Sequence, residues 1–189
     1  MAELETTKEL AARYSVPVFK TIDEIFHYNL HVDGIVVSST HATHYELAAK
    51  VIAANKHLLL EKPMTVDPAE AQKLCELASS PAYTGYFQIN HSANWRVQTK
   101  RARELVKLGA VGKIKHIVCC MNSPLKLLFE DPRSGGWIRL ANGESSGFGW
   151  GQLTHVVAWA LLVTDLEPSE AFCMMSHSEI TGADIFNSG

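Results

Sequence analysis

The feature that most constrains this chain is a rhythm. Four short apolar runs, VPVF (16–19), VDGIVVSS (32–39), HLLLE (57–61) and AYTGYFQI (82–89), alternate with stretches whose apolar residues recur at helical spacing. The order is αβαβαβαβ. Strands that short, separated by helices, predict a parallel sheet in an α/β domain. The run at 32–39 is nearly continuous in apolar residues, as expected of a strand buried on both faces. Local signals place the helices between the runs. Thr21 stands where it can cap a short helix through about residue 28. Asp67 followed by Pro68 reads as an N-cap and a first helical position.

After residue 90 the rhythm changes. Residues 93–112 predict one long helix, stopped at Gly109 or Gly112. KIKHIVCCMN (113–122) and SEAFCMMSH (169–177) read as strands. A glycine- and serine-rich loop (134–149) leads into WGQLTHVVAWALLV (150–163), a largely buried helix. The expected division is a parallel α/β domain over 1–90 and an α+β domain over 91–189.

Composition narrows the function. The 189 residues are 47% hydrophobic and 20% charged, with a net charge of −3. Such a balance offers no electrostatic attraction for nucleic acid or an anionic membrane. No run of eighteen apolar residues suggests a membrane span, and the polar start MAELETTKEL is unlike a signal peptide. Cys75, Cys119, Cys120 and Cys173 include no CxxC spacing. They read as reduced, mostly buried thiols of a cytoplasmic protein.

In open parallel sheets, ligands bind at the carboxyl ends of the strands. Three of these ends carry polar groups: SSTHATH (38–44), EKP (61–63) and QINH (88–91). Ser38, Ser39 and Thr40 offer hydroxyls and backbone N–H groups ahead of a helix, a setting that suits phosphate or carboxylate oxygens. Thr40 or Thr43 equally suits a helix cap. His41 and His44 are three apart, but no third ligand accompanies them, so zinc is the weaker alternative. Lys62 sits beside apolar strands, which disfavours its charged form, while Glu61 opposes that shift. Taken alone, the pair reads as an ordinary solvated strand end. His155 lies within an apolar helix behind Gly147, Gly149 and Gly151. Core histidine and ligand-binding histidine are evenly balanced there.

Together the ordered motifs STHATH, AANKHLLLEKP, ELVKLGAVGKI and a glycine-rich helix with histidine resemble the Gfo/Idh/MocA family of NAD(P)-dependent oxidoreductases. The resemblance covers nearly the whole chain. It implies a Rossmann domain followed by an open-sheet domain, with hydride moving between the nicotinamide of NAD or NADP and a sugar-, polyol- or hydroxy-type substrate. It makes Lys62 the EKP lysine, catalytic at the reacting oxygen, and puts Glu61 at the nicotinamide end. It lays Ser39, Thr40, His41 and His44 along the cofactor groove, with Asn90 and His91 at the domain junction. His155 matches the histidine of the helical DxGxH signature and is the second catalytic candidate. The resemblance also points to a homo-oligomer formed through the C-terminal sheet, and to no resident metal.

Two departures accompany it. The signature aspartate falls on Gly151, and the acidic residue often three after the histidine falls on Ala158. No GxGxxG occurs, and the rhythm opens on a helix rather than a strand. The expectation is a partial Rossmann-like parallel sheet lacking its first two strands, followed by part of an α+β open-sheet domain, truncated at both ends. The alternative function is a catalytically inactive fragment or a ligand-binding protein without the phosphate loop.

Overall fold

A computed structural model describes residues 2–28, 31–131 and 146–188. They fall in two compact units, Met1–Asp33 and Gly34–Gly189.

The first unit holds two helices, α1 (Ala2–Tyr14) and α2 (Ile22–His27). Ser15 takes a left-handed conformation, φ 53°, just past α1. Its turn closes with Val16 N–H donating to Ala11 O at 3.0 Å. Thr21 caps α2 as the sequence predicts, accepting from Glu24 N at 3.2 Å. The Glu24 carboxylate in turn accepts from Lys20 N at 2.8 Å. One amide donor left orphaned by the helix start is thereby satisfied, together with the amide of Lys20 just ahead of the cap. Phe19 and Tyr28 meet edge to face at 5.3 Å between ring centroids across α2. The strand expected at 16–19 does not form: the segment has no ladder partner among the described residues. Its β-branched, apolar composition fits a strand, yet a strand requires a neighbour to pair with.

The second unit is built on three parallel strands, β1 (Gly34–Val37), β2 (His57–Glu61) and β3 (Phe87–Asn90), in the order β1-β2-β3. The register pairs Gly34 with His57 and Val37 with Leu60. It pairs Leu58 with Phe87 and Glu61 with Asn90. The Gly34 backbone approaches β2 so closely that a Cβ there would lie 3.2 Å from the His57 Cβ. Helix α3 (His44–Ala53) follows a 3-10 turn at His41–Thr43, and α4 (Pro68–Ser79) follows β2. Its buried residues His44, Ala48, Val51 and Ile52 form one face of α3. That face packs on β2 and α4, whose Leu74 is fully buried. Asp67 caps α4 at Ala69 N, 2.8 Å, with Pro68 in the first turn, as read from the sequence. One expectation fails in β1. Val37 is buried, but Val36 on the opposite face is 66% exposed, so this strand is not buried on both sides.

Beyond β3 come a 3-10 turn, Ser92–Trp95, then α5 (Val97–Lys107) and the short α6 (Lys126–Glu130). One turn of π-helix, Gly149–Leu153, runs into α7 (Thr154–Thr164). Helices α5 and α7 pack together. Trp159 Nε1 donates to Thr99 Oγ1 at 3.1 Å, and the Thr99 hydroxyl donates to Ala93 O at 2.7 Å. Strands β4 (Met174–His177) and β5 (Asp184–Ser188) form a separate antiparallel pair. Phe129 of α6 is buried against Ala183, with Leu125, Phe148 and Ile185 around it. The fold is therefore mixed α/β, a parallel three-stranded sheet plus a small antiparallel one.

Three further expectations are corrected here. Residues 113–122 form no strand. They pair with nothing among the described residues, and Val118 is left 74% exposed. The cysteines are consequently not buried: Cys119 and Cys120 lie on that stretch, and all four are exposed free thiols. The strand expected over 169–177 is confined to β4. Most of the glycine- and serine-rich loop, 132–145, lies outside the described residues.

Candidate active site

Parallel register builds the site. Because Glu61 and Asn90 are partners at the ends of β2 and β3, their side chains emerge together, and Asn90 Nδ2 donates to Glu61 Oε1 at 2.6 Å. The other carboxylate oxygen accepts from Lys62 N at 3.3 Å. The Lys62–Pro63 peptide is cis. The Lys62 ammonium donates to the carbonyl of Gly151 at 2.8 Å, in the π turn ahead of α7. Glycine puts no side chain in the way there. A Cβ at 151 would still meet nothing within 4 Å. Gly147 differs, since a Cβ on it would collide with the backbone of Asp184.

His155, one turn further along, faces His91, with ring centroids 5.7 Å apart and planes at 87°. Its Nδ1 is buried and has no hydrogen-bond partner among the described residues. Buried polar atoms are rarely left so, and the Thr154 hydroxyl just before it is in the same state.

Electrostatics bind these groups together. Burial lowers the Lys62 pKa, and the neighbouring Glu61 carboxylate pulls it partly back. Burial also lowers His155, helped by the positive charges of Lys62 and Arg96 and opposed by Glu61. His91 is lowered by burial, then by His155 and Lys62, again against Glu61. All three groups are thus biased toward their neutral forms, the bias that a site for proton transfer requires.

The loop after β1 is differently arranged. His41 is buried with Nδ1 3.0 Å from Ser146 Oγ. Its pKa falls to about 4, through burial first and then the nearby His44 and Lys62. His44 is fully buried, with Nδ1 2.7 Å from Pro63 O and Nε2 3.2 Å from Ser39 O. A neutral ring carries one N–H, and the shorter contact ties the start of α3 to the turn after Lys62. Ser39 and Thr40 are exposed. The Thr43 hydroxyl lies 2.7 Å from Ser39 Oγ and 2.8 Å from Thr40 O. Neither Thr40 nor Thr43 caps a helix with its side chain, contrary to expectation.

The structure therefore gathers Glu61, Lys62, Asn90 and His155 into one cluster. Ser39 and Thr40 stay at the surface of the β1 loop, and His41 and His44 are turned inward. His91 and Ser146 join the neighbourhood without having been chosen as site residues. His91 had a legible signal, a histidine directly after a strand-end asparagine; Ser146, 105 positions from its partner His41, had none. Among the described residues, no three His, Cys, Asp or Glu side chains gather as a metal site. Nor is any helix among them long and apolar enough to cross a membrane.

Residues 2–86, from α1 to the edge of β3, match the oxidoreductase family with an NAD-binding Rossmann fold. Those residues belong to the Gfo/Idh/MocA oxidoreductase family. A reductase of Streptomyces violaceoruber, dTDP-3,4-didehydro-2,6-dideoxy-alpha-D-glucose 3-reductase, is 26% identical over 157 residues, 82% of this chain and 42% of that protein. The D-glucoside 3-dehydrogenase of Escherichia coli is 28% identical over 82 residues, 43% of this chain and 23% of that protein. Among solved structures, GenD2 from gentamicin A biosynthesis, in complex with NAD, superposes with a TM-score of 0.72 at 20% identity, covering 95% of this chain and 50% of that one. At that identity the likeness is one of fold. The matches to the first curated relatives span 30%, 34% and 42% of those proteins' own lengths. The family match covers Lys62 and the Glu61-Lys62-Pro63 turn and ends before Gly151 and His155.

Proposed function

We propose that this Gfo/Idh/MocA protein is an oxidoreductase that moves hydride between NAD or NADP and a sugar-, polyol- or hydroxy-type substrate. The observation that carries the reading is the convergence of Lys62, Glu61, Asn90 and His155 at the carboxyl ends of β2 and β3, with one buried imidazole nitrogen left unpartnered. The cluster's donor and acceptor set fits the nicotinamide end of a dinucleotide. The phosphate end has exposed Ser39 and Thr40 but no GxGxxG. When bound, the cofactor supplies the hydride acceptor.

The chain's own residues handle the oxygen and its proton. Gly151 O occupies one Lys62 N–H, which leaves the others for the substrate oxygen. Neutral His155 offers its unprotonated ring nitrogen as the acceptor for the hydroxyl proton. Electrons then balance: the C–H pair leaves as hydride, the O–H proton goes to the imidazole, and a carbonyl remains. Asn90 fixes the Glu61 carboxylate, which limits how far the Lys62 pKa falls. Gly151 supplies no carboxylate, so the histidine works with Lys62 and His91 around it. Under this reading residues 1–90 serve the cofactor and 91–189 the substrate, with Ser39, Thr40, Glu61 and Asn90 on the cofactor side.

The test is a titration of the whole chain with NAD(H) and NADP(H), read by quenching of tryptophan fluorescence, followed by a polyol and sugar panel. Micromolar affinity and cofactor-dependent turnover are expected. No binding at millimolar cofactor would sink the redox reading. A second reading, a binding protein without redox chemistry, is favoured by glycine and alanine at positions 151 and 158; sugar binding that persists without cofactor affinity would select it.

A further inference from the structure

Beside the cluster lies a cavity of about 740 Å3. Pro63, His91 and Ser146 line it on the side of the Lys62 turn, so His91 stands in both the cavity and the cluster. One face of α7 forms a wall, with Thr154, Val157, Ala158 and Leu161 spaced at helical period. Ile89 of β3 and Met175 of β4 close other sides. Several of the polar groups that line it already have partners. Asp184 accepts from Gly149 N and Asn187 Nδ2, and the Thr65 hydroxyl donates to Asp67 O at 2.7 Å.

His177 and the Thr154 hydroxyl, which has no partner among the described residues, add polar points to the lining, but the apolar walls do not suit a bare polyol. Hydroxyls set against Val157, Leu161, Ile89 and Met175 would lose water and gain no partner, which is costly. The volume lies in the range of pockets for ligands larger than one sugar ring. An apolar group, by contrast, gains from leaving water against such walls.

We propose that the cavity receives an aryl or alkyl substituent carried by the hydroxy substrate, whose polar, reacting end lies at His91 and Lys62. The polar end rests on the oxidoreductase reading; the apolar end rests on the cavity walls alone.

The chain is titrated by calorimetry with para-nitrophenyl glucoside and with methyl glucoside. Both are then offered with NAD and NADP, and hydride transfer is followed by nicotinamide absorbance. The aryl glucoside binds at least about tenfold tighter, a difference of about 1.4 kcal/mol. Ala158→Phe and Val157→Phe fill the cavity and erase that preference in protein that melts cooperatively. Val157 is half exposed, so its variant keeps the test open if Ala158→Phe does not fold. Equal affinity for the two glucosides overturns the proposal, as does a preference that survives in the filled variants. Self-association suppressed by Val157→Phe, with no glucoside preference, assigns the face to a second copy and also overturns it. The two readings fail separately. Aryl preference in binding without hydride transfer keeps the cavity assignment and removes the redox one. Equal hydride transfer on both glucosides does the reverse.

Discussion

The loop after β1 and the turn after β2 are adjacent strand ends with similar polar content, and they use it in opposite ways. In the β1 loop the polar groups mostly serve the fold. His44 sits with its ring nitrogens against Pro63 O and Ser39 O, the shorter contact being the one to Pro63, His41 meets Ser146, and Thr43 meets Ser39 and Thr40. At the β2 turn the Lys62 ammonium makes one hydrogen bond among the described residues where it can make three, and His155 has a buried nitrogen with none among them. Chemistry needs groups with unspent capacity held in place by groups that have spent theirs. Under the proposed function, the difference puts Lys62 and His155 on the catalytic side and His41 and His44 on the scaffold side.

The sharpest way to break this contrast is Lys62→Met. It removes the ammonium and roughly preserves side-chain length. Turnover with the best cofactor and substrate falls by roughly 10³-fold, within the span usual for a proton-transferring or oxygen-binding group. The thermal melting temperature changes little, because the lost hydrogen bond is a single partly buried one to Gly151 O. A large loss of stability with turnover retained would move Lys62 to the scaffold side.

His41 gives the next largest effect, and it is one of stability. Its folded pKa of about 4 lies below the usual 6.5, so between those values the unfolded chain binds more protons. Stability contributed by neutral His41 is therefore present above pH 6.5 and lost as pH falls toward 4, by an amount up to about 3 kcal/mol. Denaturant unfolding at a series of pH values measures it, and His41→Gln flattens that part of the curve. The catalytic side shows a different acid limb. His155 is also held below its usual value, so oxidation of substrate is already at its plateau at neutral pH and declines only below pH 6.5. A turnover profile still climbing through pH 8 would contradict a neutral His155 as proton acceptor.

His44→Ala is expected to cost about 2 kcal/mol or more, from the carbonyl left unpaired at Pro63 and the space left under α3. It affects turnover only through the Lys62 turn that His44 holds, so substoichiometric loss at low temperature is the expected signature. Full loss of turnover in a stable variant would show that His44 touches ligand.

What could be read from the sequence divides along the same line. Thr21, Asp67 and Pro68 act on the next few residues, and their helices begin where the sequence places them. The strand HLLLE has the bounds expected of it because its apolar run ends sharply at Glu61 and Lys62. Strands at 16–19 and 113–122 failed because pairing is decided by a partner far away in sequence, and composition cannot supply one. The cysteine error followed directly, since burial of Cys119 and Cys120 presupposed that strand. Lys62 and His155 were legible as motif positions. Their surroundings were not, because Lys62 finds its partner 89 residues away and the His155 Nδ1 has none among the described residues.

The smallest expected effects concern two glycines of one loop, and they separate two reasons for glycine. At Gly147 a Cβ would run into the Asp184 backbone, so Gly147→Ala costs about 1–3 kcal/mol as the hairpin is pushed aside. At Gly151 a Cβ meets nothing, and alanine is favoured over glycine in a helical turn by up to about 1 kcal/mol. Gly151→Ala is thus neutral to slightly stabilising, and the carbonyl that holds Lys62 stays where it is. Gly151→Asp goes further, because it sets a carboxylate next to the Lys62 anchor and draws the lysine pKa upward. Turnover whose pH profile shifts upward in Gly151→Asp but not in Gly151→Ala would place a titrating group of the reaction, Lys62 or His155, beside residue 151. Identical profiles in all three proteins would mean that the bond between Lys62 and residue 151 is scaffolding after all.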